Sequence, residues 1–79
     1  MPERLKTGEK LVGSKQTRKA IREGRAKTVF IARDADTFVT RPIQDLATEN
    51  GVEIAFVPSM KELGECCGVE VPTACAALL

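Results

Sequence analysis

Two short apolar runs, KTVFIA at residues 27–32 and VEIAFVP at residues 52–58, constrain the fold of this 79-residue chain more than any other feature. Each is continuous, β-branched and aromatic, and too short for a helix. That is the pattern of a strand covered on both faces. The segments around them have helical spacing and punctuation. Ser14 reads as an N-cap for a helix running to Arg22 or Glu23, with Gly24 as its stop. Thr40 and Pro42 open a second helix, in which Ile43, Leu46 and Ala47 share a face and Asn50-Gly51 ends it. Ser59 and Glu62 fit a capping box for a third helix ending at Gly68.

The remaining pieces are shorter. Residues 3–7 suggest a brief helix closed by Gly8, and Leu11 and Val12 a brief strand. VEVP at 69–72 reads as an exposed loop, while TACAALL at 73–79 suits a strand or a helix. Strands alternating with helices predict an α/β layered fold around a four-stranded, largely buried sheet. At this length one domain over residues 1–79 is expected, burying only about 60% of its unfolded surface, with little room for an enclosed cleft.

Composition narrows the function. No apolar run is long enough for a membrane span or a secretory leader, so a soluble cytoplasmic protein is expected. The three cysteines, Cys66, Cys67 and Cys75, form no disulfide framework, and adjacent cysteines lack the spacing of a zinc site. They read as small buried hydrophobes. With no histidine and no convincing nucleophile–base pair, neither an enzyme nor a cofactor is expected.

Charge is distributed unevenly behind a net value of +1. Through Arg33, ten Lys and Arg face three acids, leaving +7; from Asp34 onward, two bases face eight acids, leaving −6. On a helix over residues 14–24, Thr17, Ala20, Ile21 and Gly24 make one stripe, and Lys15, Lys19 and Arg22 project together from the other side. Arg18 and Arg25 flank them. Glu23 can reach Lys19, in the weaker Lys-before-Glu order. A solvated face is the ordinary explanation of charge runs. Such faces usually mix signs, however, because like charges one turn apart repel by a few tenths of a kcal/mol. A polyanion partner explains this face better.

The opening of the helix adds to this. The stretch GSKQ at 13–16 offers free backbone N–H groups at the positive end of the dipole, and Gly13 permits close approach. Lys15 supplies a point cation and Gln16 an amide that donates and accepts; both chemistries suit base edges. The G-x-x-x-x-G spacing from Gly8 to Gly13 imitates a phosphate-binding loop. It is followed by Ser-Lys where that motif needs Lys-Ser/Thr, and no strand precedes it. Stacking is not expected as the main binding mode, since Phe30 and Phe56 lie in the two core strands.

The stretch VGSKQTRKAIREGRAKTVFIARDAD, with LATENGVEIAFVPSMKELGECCG and the terminal GVEVPTACAALL, resembles the kink-turn-binding ribosomal protein family, in its small bacterial YbxF-like branch. The ordered set G-x-K-Q-T-x-K, D-A-D, L-G and G-V-E-V carries the likeness, from about residue 11 to the end. The resemblance implies a three-layer α/β/α sandwich with a four-stranded mixed sheet. It also implies recognition of kink-turns, sharply bent RNA helices with a bulge followed by tandem sheared G·A pairs.

Carried over by position, Gly13, Ser14, Lys15, Gln16 and Lys19 would lie at the G·A pairs. Lys15, Gln16 and Lys19 would address guanine edges, and backbone amides near Gly13 and Ser14 phosphate or sugar. Val69, Glu70 and Val71 would cover the flipped-out bulge nucleotide, and Arg22, Arg33 and Arg41 are candidate backbone contacts. Archaeal members carry Asn-Glu where Lys15-Gln16 stands. A basic residue is common where Glu23 stands, and proline where Thr37 stands. The expectation is therefore a monomeric, non-catalytic protein that binds RNA kink-turns, in ribosomal RNA, on the ribosome or in riboswitches. The alternative is a ribosome-associated protein-interaction or assembly module whose basic face meets an acidic protein.

Overall fold

The computed structural model describes residues 9–79, and the short helix expected at residues 3–7 lies outside them. Along the chain run β1 (Lys10–Val12), α1 (Ser14–Arg22), β2 (Thr28–Ala32), α2 (Thr37–Glu49), β3 (Glu53–Val57), α3 (Met60–Cys67) and β4 (Cys75–Leu78). The four strands form one mixed sheet in the order β1-β4-β2-β3. β2 and β3 are parallel, joined by the α2 crossover, and β4 runs antiparallel to both β1 and β2.

Side-chain alternation along β2 creates two cores. Val29 and Ile31 point to one face, where they meet Ile21 of α1, Ile43 and Ala47 of α2, and Cys75 of β4. Phe30 and Ala32 point to the other, against Leu63, Cys66 and Cys67 of α3 with Ala76 and Leu78. Two helices on one face and one on the other make the expected α/β/α sandwich. All three cysteines are free and buried. Burial pushes the Cys67 and Cys75 thiols above their ordinary range, against the smaller pull of Lys10 on the first and of Thr17 and Arg18 on the second. They pack as thiols and are poor nucleophiles.

Several expectations need correction. The segment TACAALL resolves to a strand inserted between β1 and β2, fully buried from Cys75 to Leu78. Its small residues fit where helices press on both faces. β3 is an edge strand, so its covering is partial: Glu53 and Phe56 are exposed and only Val57 is buried. Helix α2 begins at Thr37, not at Thr40, because the Asp36 carboxylate caps it by accepting the Phe38 N–H at 2.9 Å. Pro42 therefore lies inside the helix and leaves the Phe38 carbonyl without its α-helical donor. Ser14 is the first residue of α1, and Gly13 occupies the cap position.

Candidate nucleic-acid interface

The antiparallel register brings the C-terminal end of β1 beside the N-terminal end of β4, and the Gly13 N–H donates to the Cys75 carbonyl at 3.0 Å. The C-terminal ends of β2 and β3 lie at the same end, so all three helices begin there. Two of those beginnings are closed by side chains. Asp36 caps α2, and the Ser59 hydroxyl accepts the Glu62 N–H at 3.1 Å to cap α3.

The beginning of α1 is open. Gly13 adopts φ 105° and ψ 155°, a region reserved for glycine, and offers no side-chain acceptor. Its carbonyl is held by both the N–H and the hydroxyl of Thr17, at 2.9 and 2.7 Å. The N–H groups of Ser14, Lys15 and Gln16 precede that first helical donor and meet no capping side chain. The first turn also contains no acidic residue. Lys15 instead places a cation at the positive end of the dipole, a position that favours anions.

Thr17, Ala20 and Ile21 form the buried stripe of α1, as the sequence pattern predicts. Lys15, Arg18, Lys19 and Arg22 line one shallow hollow on the outer side, with Glu23 at its margin. None of these four cations forms an ion pair among the described residues. Glu23 pairs with Arg25, at 3.2 Å, and not with Lys19. The hollow is bounded by a single helix, so it is an open surface and not a substrate cleft.

Across the same end of the sheet stands the loop of Val69, Glu70 and Val71. The close approach of Gly64 to the Val71 carbonyl holds it against α3; a Cβ at Gly64 would collide with that oxygen. The Thr73 N–H donates to the Met60 carbonyl at 3.0 Å, and the Val69 N–H to the Gly64 carbonyl at 3.0 Å. Val69 is half-buried against the core and braces the loop, while Val71 is 63% exposed and Glu70 faces solvent.

The structure thus brings together Gly13, Ser14, Lys15, Gln16, Lys19 and Arg22 along α1, with Val69, Glu70 and Val71 at the same end of the sheet. Arg33, just past β2, lies at this end too, on the side of β3, where its N–H donates to the Val57 carbonyl at 2.8 Å. The Arg33 guanidinium lies 5.0 Å from the centroid of Phe56, over the β3 edge. One expected donor is also spent: the Gly13 N–H is committed to Cys75, so the available backbone donors begin at Ser14. Arg18, expected only to flank the cationic stripe, shares the α1 hollow. Phe56, expected in a core strand, is 45% exposed because β3 is an edge, and Phe38, which the sequence pattern does not single out, is 90% exposed. An Asp36 cap would have placed Phe38 off the Thr40–Ile43–Ala47 stripe.

Residues 1–79 match the Ribosomal protein L7Ae/L30e/S12e/Gadd45 family. The chain belongs to that family. Within it the chain falls in the YbxF-like branch. It is 44% identical over 69 residues to an "RNA-binding protein" of Bacillus pumilus, covering 87% of this chain and 84% of the relative. It is 39% identical over 75 residues to "RNA-binding protein YbxF" of Geobacillus stearothermophilus, covering 95% and 92%. Among solved structures, a Giardia lamblia 15.5kD RNA binding protein superposes with a TM-score of 0.90 at 30% identity, over 96% of this chain and 68% of the other. The L7Ae family and these relatives carry the names of ribosomal and RNA-binding proteins, not of enzymes, in agreement with the sequence reading. No helix among the described residues is long and apolar enough to cross a membrane.

Proposed function

We propose that this protein is a non-catalytic RNA-binding protein that recognises kink-turns in structured RNA, such as ribosomal RNA or riboswitches. It acts as a cytoplasmic monomer and a single binding unit. The observation that carries the reading is the open start of α1: N–H groups with no side-chain cap beside the exposed Lys15 and Lys19, which have no ion-pair partner among the described residues. Membership of the L7Ae family and the names of the relatives support RNA as the ligand.

An undistorted RNA duplex has a major groove too deep and narrow for side chains to enter. A sharp bend opens it. The α1 terminus then enters with Lys15, Gln16 and Lys19 at guanine O6 and N7, while the Ser14 and Lys15 amides meet phosphate or sugar. Arg18 and Arg22 continue along the backbone, and Arg33 contacts it from the β3 side. Val71 covers the flipped-out bulge nucleotide, with Val69 bracing it and Glu70 beside it.

The test compares affinity for a kink-turn duplex with affinity for the same duplex after its sheared G·A pairs are converted to Watson–Crick pairs. Much weaker binding to the converted duplex is expected. Equal affinity for the two would overturn kink-turn recognition and leave only polyanion binding.

A further inference from the structure

Two of the three phenylalanines lie outside the core, and they differ. Phe56 is covered by the Arg33 guanidinium. Phe38 is 90% exposed and has no such cover. Its backbone is nevertheless fixed: the N–H is held by Asp36 at 2.9 Å, the next two N–H groups return to the Asp36 carbonyl at 3.0 and 3.1 Å, and Pro42 follows one turn later. The ring stands between two hollows. One is lined by Ser14, Arg18, Val39 and Pro42, the other by Thr37, Arg41, Pro42 and Asp45. An aromatic on an anchored stretch of backbone therefore sits beside the open start of α1, with an arginine lining the hollow on either side.

An isolated surface phenylalanine needs no explanation in general. This one borders the proposed RNA interface. Resting on that reading, we propose that Phe38 is a stacking platform for an unpaired nucleobase next to the distorted duplex, with Arg18 and Arg41 receiving the flanking phosphates. The exposed apolar patch is small, consisting of the Phe38 ring, part of Val39 and the exposed Pro42. That matches a single base, whereas a protein partner covers about 800 Å² per side. Arg18 and Arg41 line the two hollows with Asp45 as the one acid in them, and the nearby Asp36 carboxylate is engaged as the cap of α2. Every base has a π-face, so the platform selects for an unpaired nucleotide and not for its identity.

The test uses the wild-type protein, Phe38→Ala and Phe38→Trp on a series of kink-turn duplexes. Unpaired adenines are added to the bulge or to each strand end in turn, beside the fully paired parent. Because the ring is exposed, Phe38→Ala keeps the wild-type melting temperature. At least one extended RNA should bind wild type more tightly than the parent does. Phe38→Ala should lose about 5- to 100-fold on that RNA alone, and Phe38→Trp should retain the gain. Equal binding of Phe38→Ala and wild type across the series overturns the proposal, and is what a protein-docking role would give. An equal loss on every RNA overturns it too. Discrimination of G·A pairs by wild type is read separately on the parent, so failure of the kink-turn reading does not resemble failure of the platform.

Discussion

Helices α1 and α3 begin at the same end of the sheet and treat their first turns oppositely. Helix α3 has a serine cap, with its hydroxyl on the Glu62 N–H, and Glu62 itself adds negative charge where the dipole is positive. Helix α1 has a glycine without a cap, no acid in its first turn, and Lys15 in place of one. A side-chain cap is worth about 1 kcal/mol, and a favourable end charge about 0.3–1 kcal/mol. Further along α1, four like-charged pairs one turn apart (Lys15 with Arg18 and Lys19, Arg22 with Arg18 and Lys19) each oppose folding by a few tenths of a kcal/mol. The α3 terminus is satisfied within the protein. The α1 terminus leaves donors and charge for something outside it, and the proposed RNA supplies both.

The largest expected effect tests whether the glycine cap is required. Among the described residues, and apart from its chain neighbours, no heavy atom lies within 4 Å of a Cβ built on Gly13, so the penalty of Gly13→Ala is conformational and not a clash. At φ 105° that penalty is on the order of 1–3 kcal/mol. Relief requires the peptide to turn, which breaks the Gly13–Cys75 hydrogen bond and re-aims the first turn of α1. Chemical denaturation should show the lost stability, and titration with kink-turn RNA should show weakened binding in protein that is still folded. Wild-type values for both would remove the basis of the comparison.

Charge on α1 is tested next, with little effect on folding. Lys19 is exposed, lies in the hollow and has no ion-pair partner among the described residues, so Lys19→Ala removes only repulsion from the fold. It should lower discrimination between a kink-turn and its Watson–Crick counterpart by roughly 1–3 kcal/mol. Arg25 lies past the end of α1 and is already paired with Glu23. Arg25→Ala should weaken all RNAs alike and reduce the salt slope by about one. Identical behaviour of the two variants would merge the specific and nonspecific parts of the surface.

The sequence makes the two sides of the comparison unequally visible. The α3 cap could be read from Ser59 and Glu62, since a capping box is a local pattern, and β2 from its continuous apolar run. The strand β4 could not be read, because Ala76 and Ala77 suit a helix equally until two flanking strands claim their backbone. The apolar run of β3 does not tell an edge from a centre, so the exposure of Phe56 was hidden. Pro42 drew the expected start of α2 too late: proline favours a first turn, but the Asp36 cap three residues upstream of Val39 decides the boundary. The α1 cap differs from expectation for a related reason. Ser14 is the better capping residue by type, yet the positive φ at the junction with β1 demands glycine there and moves serine into the helix. The cationic stripe survived this shift because side-chain spacing on a helix does not depend on where the first turn is counted from.

The smallest expected effect belongs to the closed terminus and serves as the control for the open one. Ser59→Ala removes the hydroxyl that accepts the Glu62 N–H, leaving that donor to solvent, and should cost about 1 kcal/mol of stability. Met60 keeps its own tie, an N–H donated to the Asp34 carboxylate at 2.8 Å, so the start of α3 stays in place. The Thr73–Met60 hydrogen bond then continues to hold the segment leading from the Val69–Val71 loop into β4. Affinity for a kink-turn should therefore be unchanged while the melting temperature falls. If Ser59→Ala weakened RNA binding as much as Gly13→Ala does, the two termini would not differ in role. Binding would then follow the stability of this end of the sheet as a whole, whichever helix was disturbed.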